Sequence, residues 1–147
     1  LTMMEIRAKA RRLKQRHDLK LVIVDYMQLM TSGKKVESRQ LEVSEFSRQM
    51  KLLAKELSVP VVALSQLNRG PEQRTDKKPM LSDLRESGSL EQDADMVILL
   101  HRADAYDKDS DRVGEADFII AKHRNGPTAT IPTVFQGHYS RFVDMQR

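Results

Sequence analysis

Alternating blocks of apolar and polar residues predict an α/β fold. Short apolar runs predict strands at about 20–25, 61–66, 96–100 and 118–121, with late strands at 128–135 and 140–145. Between the first two strands, apolar residues recur at helical spacing and predict a helix over about 38–58, with a buried face formed by Phe46, Met50, Leu53 and Leu57. Because helices connect the earlier strands, we expect those strands to pair in parallel. The β-rich tail predicts antiparallel strands at the edge of the sheet.

The chain begins with a second helical signal. Thr2 and Glu5 have capping-box spacing and predict a helix that starts at Met3 and ends near 17–18. Its predicted apolar stripe comprises Ile6, Ala10 and Leu13. Further along, composition predicts a polar loop at 31–36, a mobile loop at 68–80, helical segments at 81–85 and 89–93 separated by Ser87-Gly88, a loop at 103–115 and a turn at 125–127.

Length and composition narrow the class of protein. The 147 residues suffice for one domain, which we place at 1–147. No apolar stretch has the length of a membrane helix, so we expect no membrane association. The absence of cysteine excludes disulfides and thiolate zinc sites and fits a cytoplasmic protein. The net charge of +4 is compatible with a polyanionic partner, although the basic stretch 7–20 and the acidic stretch 104–117 are each expected to be solvated faces.

The first predicted strand ends abruptly in a carboxylate. The run Leu21-Val22-Ile23-Val24 suits a strand covered on both faces, and Asp25 follows it directly. Ligands of parallel α/β sheets bind outside the carboxyl ends of the strands. A carboxylate there can hold Mg²⁺ beside nucleotide phosphates, directly or through water, which is the Walker B pattern. On this segment alone, an aspartate that caps the next turn is the simpler interpretation.

Three other polar groups are candidates for chemistry. Gln66 follows the second strand and would share an edge with Asp25, where it could sense a phosphate or cap a loop. Lys122 and Arg124 flank His123 at a strand end, share one face and could reach a phosphate on another subunit, or form an ordinary basic hairpin. In the segment 85–88, Arg85 could pair with a phosphate of a nucleic-acid backbone, and Gly88 would let a backbone amide approach such a phosphate closely. The alternative is that this segment is a common glycine-containing turn.

Other reaction classes lack candidates. The four histidines have no metal-ligand spacing, so we predict no zinc or iron site. There is no Gly-x-Ser-x-Gly elbow and no Cys-His pair, which leaves nucleophilic hydrolysis without a residue to perform it. No aromatic residue lies near 85–88, so recognition of nucleic acid there would act through phosphate and tolerate any sequence.

Several blocks together resemble a known family. The blocks are LVIVDYMQLM at 21–30, SRQLEVSEFSRQMKLLAKE at 38–56, VVALSQLNR at 61–69, LSDLRESGSLEQDAD at 81–95 and AKHRNGP at 121–127. They resemble the bacterial replicative DNA helicases of the DnaB family, in that family's order and over nearly the whole chain. The last two are far more specific than a Walker B pattern.

The resemblance implies the C-terminal part of a RecA-like motor domain. In that family a homo-hexamer encircles single-stranded DNA, binds ATP and Mg²⁺ between neighbours, translocates 5′ to 3′ and works with a primase and a helicase loader. By motif, Asp25 would position Mg²⁺ and Gln66 would contact the γ-phosphate. Lys122 and Arg124 would act on the ATP of the adjacent subunit. Arg85, Glu86 and Gly88 would lie in the DNA-contacting loop.

One family motif is absent from these residues. No Gly-x-x-x-x-Gly-Lys-[Ser/Thr] occurs, and the family places that phosphate loop and its catalytic glutamate upstream of the Walker B strand. We therefore expect a fold without its phosphate-loop half and an isolated chain without ATPase activity. A truncated piece, the product of a split or intein-interrupted gene, and a degenerate paralogue remain alternatives. A non-catalytic DNA-binding or assembly module, and another RecA-superfamily ATPase such as a recombinase or phage primase-helicase, remain alternative functions.

Overall fold

The computed structural model describes residues 2–30 and 39–146, and only the backbone at 85–87. The helices are α1 (Met3–Arg16), α2 (Arg39–Leu57), α3 (Gly70–Gln73) and α4 (Gly88–Asp93). The strands are β1 (Val22–Val24), β2 (Val61–Ala63), β3 (Met96–His101), β4 (Glu115–His123), β5 (Ala129–Gln136) and β6 (Arg141–Asp144). Short 3-10 turns lie at Met27–Leu29, Leu81–Ser87, Ala103–Ala105 and Gly137–Tyr139. The predicted loop at 31–36 and the predicted helix start at Ser38 lie outside the described residues.

The chain forms two compact units. The first contains the residues up to Leu67 together with Leu84–Ala94, and the second contains Asn68–Asp83 and the residues from Asp95 onward. The α/β class predicted from the sequence is confirmed. Among the described residues, no helix is both long enough and apolar enough to cross a bilayer.

Helix α1 begins as its sequence predicts. The Thr2 hydroxyl accepts a hydrogen bond from the amide of Glu5, and the Thr2 amide donates to the Glu5 carboxylate at 2.8 Å. The bond from the Thr2 backbone lowers the pKa of Glu5. The predicted stripe is wrong at Leu13, which is 47% exposed. Residues after the helix, Leu19 and Val22, pack into the cluster at this end instead.

Helix α2 supplies the core of the first unit. Its predicted buried face is confirmed, because Phe46, Met50, Leu53 and Leu57 are all buried. One cluster joins Phe46 and Met50 to residues of α1 and of the segment after β1, and a second joins Leu53 and Leu57 to Ala10 and Val59. Burial of one amphipathic face therefore fixes α2 against α1 and beneath the two strands.

Strands β1 and β2 pair in parallel, with Val22 opposite Val61 and Val24 opposite Ala63. The prediction that β1 is covered on both faces is wrong for the described residues, since Ile23 is 61% exposed. The reason is that Val22 and Val24 pack against the helical clusters, whereas successive side chains of a strand point to opposite faces.

Strands β3 to β6 form a four-stranded antiparallel sheet in sequence order. Antiparallel pairing thus begins at β3, earlier in the chain than the edge strands for which we predicted it. The physical reason is the connection between β3 and β4, which contains a short 3-10 turn but no α-helix in the described structure. The crossover that joins a parallel pair is usually an α-helix.

One stretch predicted as a mobile loop and one predicted as a solvated face are more ordered or more buried than their composition indicates. The segment 68–80 contains α3, and Pro71 and Pro79 in it are buried. In the acidic stretch, Asp117 is not on a solvated face: it is buried and receives two hydrogen bonds from Arg112, which lower its pKa. Such ion pairs are invisible to a count of charges along the sequence.

Candidate functional site

The carboxyl ends of β1 and β2 lie at the same edge of their sheet, as predicted. Val24 is the register partner of Ala63, so Asp25 and the segment after β2 leave the sheet together. Two backbone hydrogen bonds continue the pairing past the strands: the Leu64 amide donates to the Val24 carbonyl at 2.9 Å, and the Met27 amide donates to the Leu64 carbonyl at 3.0 Å. The Asp25 side chain is exposed at this edge.

Gln28 holds the two strand ends together, and sequence reasoning missed it. Its side-chain amide donates to the Ser65 hydroxyl at 3.0 Å and to the Gln66 carbonyl at 3.3 Å. Its side-chain oxygen accepts from the Gln66 amide at 3.3 Å. Gln28 therefore fixes the backbone of Gln66 relative to the segment that carries Asp25. The sequence does carry a signal for Gln28. It is a side-chain amide three residues after Asp25, within the block LVIVDYMQLM.

Arg39 braces the same segment from the first turn of α2. Its guanidinium donates to the Gln28 carbonyl at 2.6 Å and to the Met30 carbonyl at 3.0 Å, and it also pairs with Glu42. The peptide bond between Asp25 and Tyr26 is cis. Contacts with the end of β2 and with α2 together hold the turn that follows Asp25.

Lys122 and Arg124 lie at the end of β4 in the second unit, two residues apart as predicted. The Arg124 amide donates to the Asp95 carbonyl at 2.8 Å, and its guanidinium lies 3.2 Å from the Asp95 carboxylate. Both side chains of that ion pair are about half exposed. In the turn after Arg124, a Cβ at Gly126 would lie 2.5 Å from the His123 ring, so a larger residue there would displace that ring.

The segment predicted to contact DNA is only partly described. Leu81–Ser87 runs directly into α4 at Gly88, so the predicted separation at Ser87-Gly88 is wrong. Gly88 is exposed, and a Cβ there would meet nothing within 4 Å. The side chains of Arg85 and Glu86 lie outside the described structure.

Asp25 presents an exposed carboxylate to a cation at this edge of the sheet. Among residues 2–30 and 39–146, no group of three His, Cys, Asp or Glu side chains is placed to hold a metal. Mg²⁺ commonly uses one or two carboxylates and completes its shell with waters and substrate phosphates. Asp25 therefore suits magnesium held together with a nucleotide.

Comparison with known proteins decides the family. Residues 1–144 match the model of the DnaB-like helicase C-terminal domain. The chain belongs to this family. The resemblance read from the five sequence blocks is thereby confirmed.

Relatives of this DnaB-family chain are named replicative helicases. It is 80% identical over its whole length to the replicative DNA helicase DnaB of Mycobacterium intracellulare, and covers 26% of that protein. It is 75% identical over 145 residues to the replicative DNA helicase DnaB of Leifsonia xyli, and covers 32% of that protein. The chain thus spans about a quarter to a third of the length of these curated relatives.

Solved structures confirm the RecA-like helicase ATPase fold for this DnaB-family chain. It matches the solved structure of an ATPase domain with a TM-score of 0.94 and 46% identity, over 99% of this chain and 52% of that one. A structure of a DnaB-like replicative helicase and its interactions with primase matches with the same TM-score and identity, over 99% of this chain and 35% of that one. The roles of the individual site residues stay predictions.

Proposed function

We propose that this chain is the C-terminal part of the motor domain of a replicative hexameric DNA helicase. The helicase couples ATP hydrolysis to 5′-to-3′ translocation on single-stranded DNA and to unwinding of the duplex. The observation that carries the proposal is the shared edge of β1 and β2, where Asp25 is exposed and Gln28 fixes the backbone of Gln66. That edge is where parallel α/β sheets bind their ligands.

Asp25 and Gln66 have complementary tasks in this proposal. The Asp25 carboxylate holds Mg²⁺, directly or through one water, and the cation when bound neutralises charge on the ATP phosphates. The Gln66 side chain donates to the γ-phosphate and loses that partner after hydrolysis. Because Gln28 ties the Gln66 backbone to the segment after β1, the metal ligand and the phosphate sensor are positioned by one hydrogen-bond network.

Lys122 and Arg124 complete the site of the neighbouring subunit. Each subunit of the proposed ring presents this pair to the ATP bound next door, and Arg124 stabilises the charge of the transition state. In the isolated chain Arg124 pairs with Asp95, and both side chains are about half exposed. Exposed ion pairs contribute little free energy, so Arg124 can exchange Asp95 for a phosphate at small cost.

The proposed partners follow from the same assignment. Arg85, Glu86 and Gly88 contact single-stranded DNA, and the protein acts as a homo-hexamer with ATP and Mg²⁺. Primase and a helicase loader are proposed partners through other regions of the full protein. The match to a DnaB-like helicase studied with its primase supports the first of these.

The test uses a chimeric helicase, because these 147 residues contain no phosphate loop. In it, the matching segment of the full-length Leifsonia xyli relative is replaced by this chain, which is 75% identical there. We expect unwinding of a forked DNA substrate that requires Mg²⁺ and hydrolysable ATP and that starts from a 5′ single-stranded arm. Salt-sensitive binding of single-stranded DNA without any ATP-dependent unwinding would contradict the proposal and favour a non-catalytic DNA-binding module.

A further inference from the structure

The segment that joins Gln66 to Arg85 is closed at its base. The Asn68 amide donates to the Asp83 carbonyl at 3.0 Å. Asn68 lies two residues after Gln66, and Asp83 lies two residues before Arg85. The chain between them forms a loop whose two ends are joined by a backbone hydrogen bond.

A buried carboxylate holds this closure. Asp83 has a side chain only 4% exposed, and it receives hydrogen bonds from both terminal nitrogens of Arg74 and from the Met80 amide at 2.7 Å. The Asp83 amide in turn donates to the Met80 carbonyl at 2.9 Å. Bidentate pairing with a guanidinium is geometrically specific, so Arg74 fixes the orientation of Asp83 as well as its charge.

The start of the loop is packed tightly against the same carboxylate. The Gly70 amide donates to the side chain of Asn68 at 2.8 Å. A Cβ at Gly70 would lie 2.7 Å from an Asp83 carboxylate oxygen and 2.8 Å from the Asn68 side-chain oxygen. Only glycine leaves room for this arrangement. We call Asn68, Arg74 and Asp83 the loop-base clamp.

We propose that the loop-base clamp is a positioning device that couples the nucleotide site to the DNA-contacting loop. The inference rests on the proposed function, which puts Gln66 at the γ-phosphate and Arg85 at the DNA. With the base of the loop closed, a displacement at Gln66 reaches Arg85 through one hydrogen-bonded pair, Asn68 and Asp83, and one further residue on each side of it. Without the closure, the loop of Gly, Pro and charged residues would absorb that displacement. Hydrogen-bond networks that join two sites through a stiff connection are one physical route by which such coupling is carried.

The same unit contains a matched ion pair that lies off this route. Arg112 makes bidentate contacts of 2.7 and 2.8 Å with Asp117, and the two side chains are 33% and 4% exposed. The corresponding values for Arg74 and Asp83 are 30% and 4%. Removing either carboxylate should therefore disturb folding to a similar extent. Of the two carboxylates, only Asp83 lies between positions 66 and 85 of the sequence. Comparing variants of the two ion pairs therefore separates an effect on coupling from an effect on stability.

The test measures binding of labelled oligo-dT to the chimeric helicase, with and without Mg²⁺ and a non-hydrolysable ATP analogue. The ratio of the two dissociation constants is the coupling, and by linkage it applies equally to nucleotide binding. We expect Asp83→Asn and Arg74→Ala to lower this ratio by about five-fold or more, the low end of usual couplings, with little change in DNA binding without nucleotide. Arg74→Lys should give part of the effect, because lysine keeps the charge but loses the fork. Asp117→Asn should keep the parental ratio.

Either of two results would overturn this inference and leave the proposed function standing. One is a parental coupling ratio in both Asp83→Asn and Arg74→Ala, with the folding of each variant checked by its thermal melt. The other is an equal loss of coupling in Asp117→Asn, which would assign the effect to stability. If the parental chimera itself shows no effect of nucleotide on DNA affinity, the proposed function fails and takes the inference with it.

Discussion

Replacing Asp25 by asparagine in the chimeric helicase should lower the rate of ATP hydrolysis by at least about a hundred-fold. Asparagine keeps the size and shape of the side chain but removes the negative charge that attracts Mg²⁺. The side chain is exposed at the edge of the parallel strands, so no packing is lost. The unfolding free energy of the isolated chain should therefore stay within about 0.5 kcal/mol of the parent value, as for most surface substitutions.

The control for Asp25 is an aspartate before the same strand. Asp18 precedes β1 and forms an exposed ion pair with Lys20. Asp18→Asn should leave hydrolysis near the parental rate. Steady-state ATPase assays over a range of Mg²⁺ concentrations distinguish the two variants. An Asp25→Asn enzyme with near-parental turnover at every Mg²⁺ concentration would remove Asp25 from the metal site.

Replacing Arg124 by alanine should lower the rate of hydrolysis by about 10³-fold or more, the range measured for arginine fingers. The ion pair with Asp95 that this change removes is half exposed, so we expect little effect on folding. Arg124 is proposed to act on the ATP of the neighbouring subunit. A subunit that lacks Arg124 should therefore regain hydrolysis when its neighbour supplies an intact Arg124, even if that neighbour is inactive for another reason. This distinguishes a finger acting between subunits from a residue needed within its own subunit.

The complementation experiment mixes Arg124→Ala subunits with Asp25→Asn subunits during assembly. Each kind is inactive alone, yet at some interfaces an intact Asp25 faces an intact Arg124 from next door. ATPase activity should therefore return in mixed rings. As a control, subunits carrying both substitutions and mixed with Asp25→Asn subunits should stay inactive. Mixed rings with no recovered activity would mean that Arg124 does not act between subunits.

Local sequence patterns predicted most of the elements that frame the site. The capping box at Thr2 and Glu5 and the four buried residues of α2 depend on neighbours within a turn or two, so helical spacing is enough to find them. The shared edge of Asp25 and Gln66 follows from two short apolar runs joined by a helix. These features need no knowledge of distant contacts.

The features that escaped prediction all depend on contacts beyond the local pattern. Leu13 is apolar and correctly spaced, but Leu19 and Val22 occupy the cluster at that end of α1. Gln28 becomes important only because Gln66 is folded beside it. Asp83 and Asp117 look like surface charges until an arginine elsewhere in the chain pairs with each one. Periodicity and composition do not reveal such partners.

The most direct test of the nucleotide site is a cryo-EM structure of the chimeric helicase with Mg²⁺ and a non-hydrolysable ATP analogue. We expect a magnesium ion about 2 Å from a carboxylate oxygen of Asp25, or about 4 Å when one water intervenes, with the Gln66 side chain hydrogen-bonded to the γ-phosphate. A nucleotide bound with its metal more than about 10 Å from Asp25, well beyond the reach of one bridging water, would contradict it.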